Sequence, residues 1–479
     1  MNRRMVGYLM AKLFFIEAGL LTVPLITALI YQEPLKNTSA ILLTMGLLLL
    51  LGGLGLVLKP NNHRIYTKEG LIIVSLCWLL WSFFGGLPFF FSGQIPNLID
   101  AFFETTSGFT STGATILDTT KVLSPSLLLW RSFTQLIGGM GVLVFALAIM
   151  DNPQNNHLEV MRAEMAGPVF GKVVSKLKNT AQILYLIYLA MFIILALILW
   201  LAGLSFYDSL VTAMGVAGTG GFAGYENNIA YYNNSLITVI VSVGMLVFGV
   251  NFNLYYLILL GKVRSVFKNE ELKLYGLITL IAVVAISINI NGLYPSLKDT
   301  LEKVFFQVSS VLTSTGFGHP DIQPWPLFSQ TLLLLLMFCG GMAGSTAGGF
   351  KIMRVLTLLK LAKNQVLSTL YPNRVLTLNV NGTPLDNKTQ QSILKYLVLY
   401  LMVLSGLILL LSLDNDNFLI VASASLSALN NVGPILGTND NFNLFSPLSK
   451  IILSFVMIAG RLELYPLILF FLPKTWSKT

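Results

Sequence analysis

Ten apolar runs of about 20 or more residues recur along the chain, each long enough to cross a hydrocarbon layer as a helix. They lie near 7–31, 40–58, 69–93, 123–150, 180–204, 234–261, 272–292, 327–362, 391–413 and 446–471. Lipid offers no partner to an exposed backbone, so such a chain must fold as helices. The expected class is an all-α integral membrane protein. Only 11% of the 479 residues are charged and 55% are hydrophobic, whereas soluble domains carry about a quarter charged residues. The net charge of +9 suggests nucleic acid at first sight. Most basic residues, however, sit in short loops between apolar runs, which is an orientation signal and no nucleic-acid face. Cys77 and Cys339 both fall inside apolar runs and offer neither a disulfide framework nor a metal spacing. The start, Met1-Asn-Arg-Arg, leads into a long run without a small-residue exit, as a retained first helix does.

With the amino terminus inside, 23 of the 30 Lys/Arg fall on the cytoplasmic side and 5 outside, while 12 of the 21 acids fall outside and 7 inside. That asymmetry predicts a multi-pass plasma-membrane protein with both termini cytoplasmic. It also puts four shorter segments, near 97–112, 205–218, 299–314 and 416–430, on the outer face. These are too short to cross, but they can dip into the layer and return.

The four segments end alike. The first closes on Ser111-Thr112-Gly113, the second on Gly218-Thr219-Gly220 and the third on Ser314-Thr315-Gly316, while the fourth carries Asn431-Val432-Gly433. Helix, dipping loop, helix is thus a unit used four times. Non-helical backbone at membrane depth is tolerated where it lines a water-filled cavity. Glycine lets four such strands approach one axis, and their carbonyls can replace the water around a cation. Each short helix would aim its negative carboxyl end at that axis. Outer acids (Asp100, Glu104, Asp118, Asp208, Glu226, Asp321) would concentrate cations. Close helix packing by small residues explains one Thr-Gly pair, but four in the same place fit a filter better.

On these motifs the chain resembles the Trk/Ktr/HKT superfamily of potassium transporters over essentially its whole length. The resemblance rests on Thr110-Ser-Thr-Gly-Ala-Thr115, Thr219-Gly-Gly-Phe222, Ser314-Thr-Gly-Phe317, Gly340-Gly-Met-Ala-Gly-Ser-Thr-Ala-Gly-Gly-Phe-Lys351 and Gly460-Arg-Leu-Glu463. It implies two leading helices (1–60) and four helix–pore loop–helix repeats (61–160, 161–265, 266–375, 376–479) arranged pseudo-fourfold around one pore. It implies K+ bound as cargo at the twelve loop residues named above. A glycine at 113, where related sodium carriers have serine, implies potassium preference; the fourth loop departs from the pattern at Asn431-Val432. The glycine-rich run with Gly340, Gly341, Gly344, Ser345, Thr346, Gly348 and Gly349 is a poor helix, and the resemblance makes it an intramembrane gating loop; a kink or close-packing point is the alternative. Arg461 lies roughly 22 Å into its span at 1.5 Å per residue. The resemblance makes it an electrostatic barrier; pairing with Glu463 or with backbone carbonyls is the alternative. Arg131 reads as structural.

The implied activity is channel-like passive K+ uptake, with an obligately Na+- or H+-coupled symporter as the rival. The implied assembly is a homodimer with one pore per subunit, docked through its basic inner face on a ring of cytoplasmic TrkA-like nucleotide-binding subunits. No nucleotide motif stands in this chain, so ATP/ADP or NAD would act on that partner. No Walker loop, metal cluster or catalytic triad stands out either, so an enzyme is a poor reading. His63, His157 and His319 fall in loops.

Overall fold

The computed structural model describes residues 2–57, 60, 67–141, 177–318, 325–373, 376–438 and 441–476. Asp321, His63, His157 and His319 lie outside the described residues, as does much of the cytoplasmic stretch after the first repeat. Among the described residues six spans are continuous and apolar enough to cross a membrane. The first joins Arg3–Leu20 to Thr22–Ile30. The second is Leu35–Leu56. The others open the four repeats: Thr67–Ser92, Leu177–Leu201, Glu270–Asn289 and Asn387–Leu411. The two leading helices pack closely because an added Cβ at Gly55 would strike the Ala11 Cβ at 2.6 Å, the small-residue contact by which membrane helices associate. Glu17 is fully buried beside Gly85 of the first repeat, and its carboxylate has no hydrogen-bond partner among the described residues.

The second span of every repeat departs from the expected single helix. Pro125–Gly139, Ser235–Phe248, Leu327–Cys339 and Pro447–Arg461 all stop about midway along their apolar runs. In the second repeat the chain resumes as Phe252–Leu259 after an 89° bend. In the third it resumes as Ile352–Leu370 after a loop, and in the fourth as Tyr465–Phe471. Glycines mark the stops for a packing reason. An added Cβ at Gly138 or Gly460 would lie under 3.0 Å from the carbonyl of Phe109 or Leu429, at the end of the adjacent pore helix. Only glycine lets the two backbones approach so closely.

The pore helices are Leu98–Phe109, Phe206–Ala217, Leu297–Leu312 and Phe418–Asn430. Each starts on a side-chain cap: Asn97, Ser205, Ser296 and Asn417 accept first-turn N–H groups. Three carry an aspartate in the first turn, Asp100, Asp208 and Asp299, against the positive end of the helix dipole. Between the third and fourth repeats a small antiparallel hairpin pairs Asn379–Val380 with Thr383–Pro384.

Candidate selectivity filter and gate

All four pore helices end in the same way. Ser111, Thr219, Ser314 and Asn431 have φ of 53°, 50°, 51° and 53°, a left-handed conformation that costs a non-glycine residue about 1–2 kcal/mol. The following N–H groups, of Thr112, Gly220, Thr315 and Val432, donate to Ser107, Gly215, Ser310 and Ser427. A positive-φ glycine comes next in every repeat: Gly113, Gly221, Gly316 and Gly433.

These glycines define a closed ring. A Cβ on Gly113 would fall under 3.0 Å from the Gly220 carbonyl oxygen. The same holds for Gly221 against Thr315, Gly316 against Val432, and Gly433 against Thr112. Each repeat thus meets the next in chain order, and the fourth returns to the first. The four carbonyls come from the residue just before each glycine, so the ring closes at one backbone level.

The second loop therefore differs in register from the sequence reading. Thr219, Gly220 and Gly221 occupy the places of Ser111, Thr112 and Gly113. Gly218 instead caps the pore helix, with φ −71°, and packs against the Gln135 carbonyl. The Gly220-Gly221 pair allows two alignments; a Thr-Gly match favours the earlier one, and the backbone adopts the later.

Bracing differs around the ring. Thr110 and Thr112 share a hydroxyl contact of 2.7 Å, and Thr313 and Thr315 repeat it at 2.7 Å. In the second repeat Gln135 Nε2 donates to the Gly220 carbonyl at 2.6 Å while its Oε1 accepts the Phe222 N–H at 3.1 Å. In the fourth, Asn431 Nδ2 donates to Thr112 Oγ1 at 2.9 Å and to the Met457 carbonyl at 2.8 Å. Asparagine tolerates the left-handed region better than most residues. At this position it also ties the last loop to the first.

Above the ring opens a cavity of about 490 Å³, lined by all four positive-φ glycines and by Asp118, Glu226 and Gln307 among others. Not every outer acid is free to face a cation there. Glu104 is buried and accepts from Arg131 Nε at 2.6 Å, from Thr115 Oγ1 and from the Ile116 N–H. Arg131 in turn lies 3.4 Å from the centre of the Phe222 ring. Asp100 pairs with Lys450 at 2.8 Å, and Asp208 accepts from Ser205 and Tyr225. Tyr225, in the outer loop and stacked on Tyr231, has its hydroxyl pushed up to about 12, chiefly by burial and further by Asp208.

Beneath the ring the loop 340–351 crosses the broken spans. Gly340, Gly344 and Gly349 have φ of 70°, 75° and 85°, and an added Cβ at Gly348 would strike the Asn430 carbonyl. Against the second repeat, Met342 N–H donates to Gly249 O at 3.1 Å, Phe252 N–H to Gly344 O at 3.0 Å, and Thr346 Oγ1 to Phe248 O at 3.2 Å. Gly348 N–H donates to Ser314 Oγ, which links the loop to the third pore loop. Ser345 Oγ stays local, on Met342 O, and Gly341 N–H meets Gly348 O.

Arg461 reaches across this level. It donates to Thr346 O at 2.7 Å and to Gly138 O at 2.6 Å, and also to Gly139 O. Glu463 is not its partner; that carboxylate pairs with Arg354 at 2.5 Å. A single guanidinium therefore joins the first, third and fourth repeats just below the ring.

This geometry has counterparts among known proteins. The family profile described as "TrkH: Cation transport protein" matches residues 38–288 and 293–478. The chain belongs to the TrkH family. The Trk system potassium uptake protein TrkH of Salmonella typhimurium is 33% identical, with both chains covered in full. TrkG of Escherichia coli, also named a Trk system potassium uptake protein, is 29% identical over 99% of this chain and 98% of its own. The crystal structure of the potassium transporter TrkH from Vibrio parahaemolyticus superposes with a TM-score of 0.90 at 28% identity, covering both chains completely. TrkH-family membership makes this a multi-pass membrane transporter and no enzyme. It also accounts for the fold: two leading helices and four repeats arranged pseudo-fourfold around one pore.

Proposed function

We propose that this chain carries potassium into the cell across the plasma membrane, by passive conduction through the four-loop ring. The observation that carries the reading is the closed circuit of glycine-to-carbonyl approaches, 113 to 220, 221 to 315, 316 to 432 and 433 to 112. Four carbonyl oxygens at one level suit a dehydrated monovalent cation. Four helix carboxyl ends converging there add negative potential. The names of the full-length relatives supply the ion.

Gating is assigned to residues 340–351 and Arg461. A loop bonded to three repeats and a cation directly below the ring together obstruct an incoming cation. Regulation is assigned to a cytoplasmic nucleotide-binding subunit, TrkA-like, on a homodimer of this chain with both termini inside. The exposed basic residues Arg3, Arg4, Lys262, Arg264 and Lys268 give that partner a cationic face.

The test is flux. Expression in cells without their own potassium uptake should restore growth at low potassium. In reconstituted bilayers the reversal potential should follow the potassium gradient alone. A potential that moves with the sodium or proton gradient would replace passive flow by coupled symport. Absence of any potassium flux would reject the reading altogether.

A further inference from the structure

The hairpin between the third and fourth repeats is seated directly on the candidate gating loop. Its apolar residues alternate with exposed ones: Leu378, Val380 and Leu385 are buried, while Asn379, Asn381 and Thr383 face outward. The buried three form one small cluster with Met353 and with Ala343, which belongs to the loop itself. Asn381 and Gly382 both have positive φ, 51° and 77°, the tight turn that suits strand twist. A lone two-stranded hairpin is marginal in water, so this one depends on its seat.

The seat is also clasped by charge. Glu270 Oε2 accepts Lys360 Nζ at 2.5 Å and the Asn381 N–H at 3.1 Å, and the Glu270 N–H donates to Asn381 Oδ1 at 2.8 Å. Lys360 Nζ donates as well to the Asn379 carbonyl at 2.7 Å. The next residue, Glu271, points the other way. It is fully buried and accepts the Ala343 N–H at 2.7 Å. One helix turn thus holds the hairpin by one glutamate and the loop by its neighbour.

We infer that the hairpin is a strap that keeps the loop in its obstructing position, with Glu270 and Glu271 as positioning residues. Lifting the hairpin removes the apolar floor under Ala343. It also pulls on the helix turn that holds the Ala343 N–H. The inference rests on the gating role proposed above for residues 340–351.

The experiment is rubidium flux into vesicles carrying the full chain and no other protein. Glu270→Gln and Val380→Asn should each raise this flux about fivefold, the low end of typical coupling energies, with the potassium-to-sodium ratio unchanged. Glu270→Asp, which keeps both the charge for Lys360 and an acceptor for the Asn381 N–H, should stay closer to the starting level than Glu270→Gln. A second measurement covers variants that fold poorly. With Cys77→Ser and Cys339→Ser as background, Val380→Cys and Ala343→Cys are cross-linked; oxidation should depress flux and reduction restore it. Unchanged flux in Glu270→Gln and Val380→Asn, flux in Glu270→Asp as high as in Glu270→Gln, or flux indifferent to a formed cross-link would each overturn the strap. If the unaltered chain and Arg461→Ala both carry no rubidium, the conduction reading itself fails. If they conduct while the hairpin variants match the unaltered chain, the strap alone fails.

Discussion

The ring and the level beneath it are built from the same four repeats, yet they obey different rules. In the ring every repeat makes the same left-handed cap, the same backbone bond and the same glycine approach to its neighbour. One layer below, all four second spans break, but no two described continuations agree: a sharp bend, a long loop and a short helix. Arg461 occurs in one repeat and joins three. A cation needs equal oxygens around it, which rewards sameness. Obstructing a passage needs one element to move against others, which rewards difference.

The comparison can be broken most sharply at the ring. Gly316→Ala puts a methyl group against the Val432 carbonyl at a φ of 76°. Turning one ring carbonyl aside should cut potassium flux by roughly a hundredfold, about 2.7 kcal/mol on the barrier. Flux near the unaltered level would remove Gly316 from the pathway. Gly113→Ser should act similarly through Gly220 and weaken discrimination against sodium, read from relative permeability.

In free energy the stability effect is as large or larger, though it leaves the conduction path itself in place. Arg131→Ala leaves the buried Glu104 carboxylate without its cation, and breaking such a pair costs about 3–5 kcal/mol. The melting temperature of the purified protein should fall clearly; an unchanged value would place the vestibule wall elsewhere in the energetics.

Below the ring the sign reverses. Arg461→Ala removes three bonds to backbone carbonyls and should raise basal flux about tenfold, equivalent to about 1.4 kcal/mol. Equal or lower flux would make Arg461 a structural tie only.

The smallest effect belongs to the odd loop. Asn431→Ser keeps a small polar residue at the left-handed cap but drops the bonds to Thr112 and to the Met457 carbonyl. Each lost hydrogen bond is worth about 1 kcal/mol, and only the one to Thr112 reaches another loop of the ring, so the potassium-to-sodium ratio should change by less than about fivefold in flux assays. A larger change would give the side chain a direct part in choosing the ion.

The pore helices and their glycines were legible because their signals are local. A cap residue, a first-turn aspartate and a closing glycine lie within one short segment. Hydropathy could not show the four breaks, since a broken and an unbroken span present the same apolar run; Gly249 and Gly460 act only through what packs against them. The second loop slipped by one residue because Gly220-Gly221 fits two registers. Glu104 looked like a free outer acid because its partner Arg131 lies a loop and a helix turn away. Asn381-Gly382, with Leu378, Val380 and Leu385 alternating around it, is a strong local hairpin signal, but its place beneath Ala343 depends on contacts distant in the chain.

The ring's four quarters belong to one polypeptide, and this changes how it can be altered. In a pore assembled from identical subunits, any substitution appears at every quarter at once, and a damaging one is multiplied. Here a change reaches one quarter while the other three keep their geometry. Position 431 is such a case: three repeats hold a hydroxyl residue at this cap and the fourth an amide, within an unchanged backbone. Selectivity in this architecture can therefore drift in single small steps, one quarter at a time.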